Sequence, residues 1–287
     1  MFEMLINPRE AEKRPMNLFF VGLLYASLSL LLVDWIFLRD AVLSKYAPLL
    51  VVTFTTMFSI PFMYYIIRFE EIKEILNGRR RTLFKEHARA IIPLLYLFLG
   101  FIVAFSFWYI VLPQNFVSLN FNAQIEEYCA INAPSQIEKC LSNYGIESSI
   151  TGKVAASGMN GVLSIFLNNI YVFIFVLVFS LAFGAGAIFI LVWNAGVIAT
   201  AIGLLIRNYS GSLSALIAYI IHGIPEIASY FIVALAGGIL SISLIRQDFR
   251  KERAIEMLFD FINLVIVAML ILLLAAFLEA FISPFFF

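Results

Sequence analysis

Between Lys153 and Arg207 lie 53 consecutive residues without a single Lys, Arg, Asp or Glu. A helix needs about 20 apolar residues to cross a bilayer, so this run holds more than one crossing. Extending it to Ile245 adds only two charged side chains, Arg207 and Glu226. The whole chain is biased the same way. It is 62% hydrophobic and 13% charged, against roughly 45–50% and about 25% in soluble domains. These numbers predict an all-α, polytopic membrane protein in a lipid bilayer. The net charge of zero gives no electrostatic case for nucleic acid.

Apolar stretches with at most two charged side chains each place about seven transmembrane helices, near 17–37, 47–67, 90–112, 164–183, 187–206, 224–245 and 257–280. The long run divides at Gly184-Ala185-Gly186. Lys and Arg set the orientation. Segments 1–16, 68–89 and 246–253 hold 14 basic residues, and 38–46, 113–163 and 207–223 hold 5. The N-terminus is therefore expected in the cytoplasm and the C-terminus outside. The first apolar stretch is long enough to span and is read as a retained helix rather than a cleaved signal.

Two parts are expected. Residues 1–89 form a transmembrane hairpin followed by a basic cytoplasmic segment. Asn77-Gly78 divides that segment into two short helices, and Arg79–Arg81 suits an anionic inner leaflet. Residues 90–287 form a five-helix core with an outer loop at 113–163. The loop is polar, the only sizeable soluble portion, and long enough for an envelope protein to dock on. It carries both cysteines, Cys129 and Cys140, and an oxidising exterior favours a disulfide between them. Asn208-Tyr209-Ser210 matches a glycosylation sequon on the same side.

The most informative motif is His222-Gly223-Ile224-Pro225-Glu226. Proline disfavours the α conformation in the residue before it and lacks an N–H. A broken or re-entrant segment is therefore expected near 212–225, with Glu226 in the first turn of a new helix, where the dipole favours an anion. Ionisable groups in a membrane domain face partners or cavities. His222 and Glu226, with Asn168, Asn169, Asn194 and Glu279, are candidates for one polar intramembrane site. The bland reading has the three asparagines as interhelical glue and Glu279 in the headgroup region. Asp34 and Asp260, near span ends, read as interfacial. No catalytic, cofactor or metal motif is present: one His and one Glu fall short of a zinc set, and Gly-x-Ser-x-Gly and His-Glu-x-x-His are missing. Gly184–Ala187 and Ala234–Gly238 suit close helix–helix approach, within the chain or in a homodimer.

Several of these features, in order, carry a resemblance. Asn168-Asn169, Gly184-Ala185-Gly186 followed by Asn194 and Gly203, the His222–Glu226 motif with Gly237-Gly238, and Glu279-Ala280-Phe281-Ile282-Ser283-Pro284 together resemble the stage II sporulation protein M family over about residues 90–287. The resemblance implies a five-helix core and a scaffold, the sporulation member being similar to one that recruits cell-wall hydrolases to a septal membrane. The N-terminal hairpin looks like an extension of the kind expected in archaeal relatives that do not sporulate. The expected function is a non-enzymatic scaffold or assembly protein without cofactor, with a homo-oligomer among its expected partners. Alternatives are a transporter or channel using the polar site, or an intramembrane hydrolase.

Overall fold

The computed structural model describes residues 14–77, 83–132, 136–146, 159–183, 188–207, 213–245, 251–282 and 285. Among these there is no strand. The helices are α1 (Met16–Phe37), α2 (Ala47–Asn77), α3 (Leu83–Val111), α4 (Gln114–Asn120), α5 (Asn122–Asn132), α6 (Ile137–Asn143), α7 (Met159–Phe183), α8 (Ile188–Arg207), α9 (Leu213–Ile245) and α10 (Lys251–Phe277). A short 3-10 turn, Leu43–Tyr46, precedes α2, and a π-helical turn, Leu278–Ile282, ends α10. Seven helices contain a segment long and apolar enough to cross a membrane: α1, α2, α3, α7, α8, α9 and α10. They fall where the apolar stretches predicted them.

Helix α1 packs against α3, α3 against α8, and α9 against both α7 and α10. Helices α3, α8 and α9 are the most enclosed, and α7 and α10 the least. Close approach is built on small residues. A Cβ added to Gly100 of α3 would stand 2.2 Å from the Phe19 carbonyl oxygen of α1, so the two backbones are nearly in contact. Gly203 of α8 is covered by the Tyr109 ring, and Gly237 of α9 by Ser180 of α7. In a bilayer, where lipid is as apolar as leucine, such contacts hold helices together by packing. The 234–238 patch therefore works within the chain. The 184–187 patch lies outside the described residues, as do Asn208-Tyr209-Ser210 and Arg79–Arg81.

The structure corrects three expectations. Helix α9 is continuous from Leu213 to Ile245 with Pro225 inside it, so there is no break near 212–225 within the described residues. Pro61 and Pro93 likewise sit inside α2 and α3. Proline is tolerated in membrane helices because neighbouring groups satisfy the freed carbonyl, and packing on both sides outweighs the local preference. The two short helices expected in the basic segment are instead the ends of α2 and α3, which run on to Asn77 and start at Leu83.

The third correction concerns the expected soluble loop. Its first part folds back onto the bundle. Gln114 meets Arg207 at the C-terminal end of α8, yet ten residues later Gln124 lies against Gly196, near the middle of α8. At 1.5 Å per helical residue the chain has returned roughly 16 Å along that helix. Val117, Asn120, Phe121, Gln124, Ile125 and Cys129 are all buried. A polar, asparagine-rich stretch carries enough apolar residues at helical spacing to be held there. Helices α4 and α5 run on from one another through Phe121, the Phe121 N–H bonding to the Val117 carbonyl and the Ile125 N–H to the Phe121 carbonyl, and with α6 they make a hairpin closed by a Cys129–Cys140 disulfide. The Phe121 ring meets Tyr109 at 5.2 Å and Phe105 at 6.4 Å between centroids.

Candidate functional site

Two constellations emerge, one anticipated and one not. The first grows from the continuity of α9. At 3.6 residues per turn, His222, Glu226 and Tyr230 fall at i, i+4 and i+8 and share one face. The Tyr230 hydroxyl donates to Glu226 Oε1 at 3.0 Å. His222 and Tyr230 are buried and Glu226 is half-buried. Below this row the Ser229 hydroxyl donates to the Ala268 carbonyl of α10 at 2.8 Å, fixing the rotation of α9 against α10.

The π turn after α10 brings Glu279 to the same place, since it packs on α7 and α9 as well as on α10. Glu279 lies close enough to Glu226 for the two carboxylates to interact. The two carboxylates are thus within electrostatic reach of each other, though not through the helix start expected at Pro225. Glu226 does not open a helix; it lies mid-helix, held by the tyrosine one turn on. Two carboxylates within an apolar bundle can be neutralised by a proton or by a cation.

The asparagines behave differently from one another. Asn169 is buried on the inward face of α7, whereas Asn168, one residue away, is exposed at the helix flank. Asn194 donates to the Ile190 carbonyl at 2.8 Å, a bond within its own helix α8.

The second constellation holds the α4–α6 hairpin in place, and the sequence reading missed it. The Asn120 amide donates to Asp34 Oδ1 of α1 at 2.7 Å. Asp34, expected at the interface, is therefore a partner of the hairpin. Arg207 donates to Gln114 Oε1 at 2.9 Å and to the Leu112 carbonyl, with its guanidinium 5.9 Å from the centre of the Tyr109 ring. Cys129 of α5 and Cys140 of α6 form the expected disulfide. Tyr128 of α5, packed near Tyr144, has its hydroxyl proton held more tightly than usual because burial disfavours the phenolate. The signal that was available in sequence was the spacing of Val117, Phe121, Ile125 and Tyr128, apolar at helical intervals within a stretch read as loop.

Fold and polar groups together define a polytopic all-α membrane protein with a disulfide-closed hairpin at one end of its bundle. The family model described as stage II sporulation protein M matches residues 94–284. The chain belongs to that family, and α1, α2 and the start of α3 precede the matched region. Neither a curated protein nor a solved structure matches the chain.

Proposed function

We propose that this protein is a non-enzymatic membrane scaffold, with its N-terminus in the cytoplasm and the α4–α6 end of its bundle outside. The observation that carries the reading is the clamped hairpin. Arg207, Asp34 and the Cys129–Cys140 bridge tie α4, α5 and α6 to the membrane helices, and Glu127, Gln136, Glu138, Lys139 and Asn143 remain exposed on it. A polar surface already ordered before binding loses little entropy when a partner docks. The division of basic residues, 14 against 5, supports placing this surface outside.

Photo-crosslinking residues placed at Glu127, Glu138 and Lys139 test the proposal in the native host. A discrete envelope protein captured from all three positions supports it. Capture of lipid alone, or labelling of a cysteine introduced at Asn143 only after the membrane is permeabilised, would sink it. A transporter is the second reading, and the Glu226–Glu279 pair favours it. Its test is ion or solute flux in proteoliposomes, abolished by Glu226→Gln.

A further inference from the structure

The junction of α4 and α5 gathers buried oxygen acceptors that the protein itself leaves without donors. Asn120 is 2% exposed and Gln124 3%, and neither Asn120 Oδ1 nor Gln124 Oε1 has a hydrogen-bond partner. Buried carbonyl oxygens of this kind are rare, because each forfeits its hydration for nothing. They are neighbours. Backbone bonds from the Phe121 N–H to the Val117 carbonyl and from the Ile125 N–H to the Phe121 carbonyl continue across the junction. That sets Asn120 and Gln124 about one helical turn apart.

Each oxygen belongs to a side chain fixed by something else. The Asn120 amide nitrogen is spent on Asp34, which fixes the amide beside that carboxylate while its oxygen stays without a partner. The Gln124 chain occupies the space over Gly196, where a Cβ would stand 3.2 Å from its Cγ. One turn beyond Gly196 on α8, Thr200 is fully buried, and its hydroxyl also lacks a partner. The nearby guanidinium of Arg207 is engaged at Leu112 and Gln114 instead.

We propose that the α4–α5 junction binds a monovalent hard cation, of the sodium class, through the Asp34 carboxylate, the Asn120 and Gln124 amide oxygens and the Thr200 hydroxyl. Hard cations take oxygen ligands, and the ligand charge selects among them. One carboxylate with neutral oxygens balances one positive charge. A divalent ion would remain uncompensated inside the bundle, where net charge is costly. The ion ties α1, the hairpin and α8 together, so its role goes beyond the scaffold reading and does not depend on it.

The test uses the full chain purified in detergent, with its disulfide intact. Thermal unfolding is followed in sodium chloride and in choline chloride at equal ionic strength, and binding of radiolabelled sodium is measured on the same sample. We expect a saturable rise in the unfolding midpoint with sodium and saturable binding of the label. Asp34→Asn should weaken both by roughly tenfold or more, the loss of one charge at ligand distance. Gln124→Glu, which adds a second carboxylate, should move the preference toward calcium. Should either variant fail to fold, the unsubstituted protein still decides. Equal midpoints in the two salts with no bound label would leave these oxygens to ordinary buried water and overturn the proposal.

Discussion

Gly22 of α1 and Gly100 of α3 face each other across the closest helix contact described: a Cβ on Gly100 would stand 3.0 Å from the Gly22 Cα and 2.2 Å from the Phe19 carbonyl oxygen. A Cβ on Gly22 would in turn meet the Leu97 carbonyl oxygen at 2.2 Å. The obstacle in both cases is backbone, which cannot rotate away. Gly100→Ala should therefore force α1 and α3 apart and lower stability by about 1–3 kcal/mol, the usual range for overpacking. Gly100→Leu should prevent folding into a monodisperse species. Thermal unfolding and size-exclusion profiles in detergent check both, and an unchanged midpoint for Gly100→Ala would show that the contact is looser than the geometry states.

Arg207 holds the C-terminal end of α8 to the start of the hairpin through two hydrogen bonds and the Tyr109 ring. The planar fork is what lets one side chain reach Leu112 and Gln114 together. Arg207→Lys keeps the charge but not the fork, and should cost about 1.5–3 kcal/mol, the range for hydrogen bonds to charged groups. Gln114→Ala should lose less, since the carbonyl of Leu112 remains. Comparable midpoints for Arg207→Lys and the unsubstituted protein would argue that the charge alone matters.

Much of this architecture is legible in the sequence because lipid imposes a simple rule. A backbone that must satisfy its own hydrogen bonds in hydrocarbon forms helices wherever charge is missing, and the spans follow directly from where Lys, Arg, Asp and Glu stop. Pro225 misled for the opposite reason. Its local preference is real, but tertiary packing of α9 on both sides keeps the helix running. The hairpin was hidden because Asn120, Asn122 and Gln124 read as loop residues. Asn120 is held in the bundle by Asp34, 86 positions earlier in the chain, and Gln124 packs over Gly196; no local pattern announces such pairings. Glu279 was legible as a candidate, whereas its approach to Glu226 arises from the π turn after α10, a backbone feature without a sequence signature.

The Cys129–Cys140 bridge closes a short loop between α5 and α6. Cross-linking of this length stabilises by about 3 kcal/mol in the chain-entropy model. Reduction should therefore loosen α6 while leaving the seven long helices in place. Hydrogen exchange should rise across Ile137–Asn143 and stay unchanged in α3 and α8. Two reactive thiols in unreduced, denatured protein would refute the bridge itself.

Asp40 sets the turn between α1 and α2. Its carboxylate accepts the Val42 and Leu43 amide protons, both at 2.8 Å, and these bonds hold its pKa below the usual carboxylate value. The sign follows from linkage. A pKa depressed on folding gives a contribution that is fully present above the unfolded pKa and is lost as pH falls through the folded one. The difference in unfolding midpoint between the unsubstituted protein and Asp40→Asn should therefore be constant near neutrality and shrink in acid. A gap that stays the same down to the most acidic condition the detergent tolerates would mean that the ionised carboxylate contributes nothing.

Glu226 separates the structural from the functional reading of the membrane-embedded cluster. Its oxygen accepts from Tyr230 on the same helix face, and Glu279 approaches from the π turn. Glu226→Gln keeps the size and an acceptor for the tyrosine while removing the charge. Tyr230→Phe removes the donor and keeps the ring. If the cluster is structural, each change should cost about 1–3 kcal/mol, and the double variant should be non-additive because the two groups share one bond. Glu279→Gln should then relieve part of the cost of two neighbouring carboxylates, so stability should hold or rise. If the cluster conducts or binds, Glu226→Gln and Glu279→Gln should each abolish flux or ligand-dependent stabilisation with the unfolding midpoint little changed. The two readings thus move different observables. Full additivity of Glu226→Gln with both Tyr230→Phe and Glu279→Gln, with no effect on flux, would show that the three side chains act independently and that neither reading of the cluster holds.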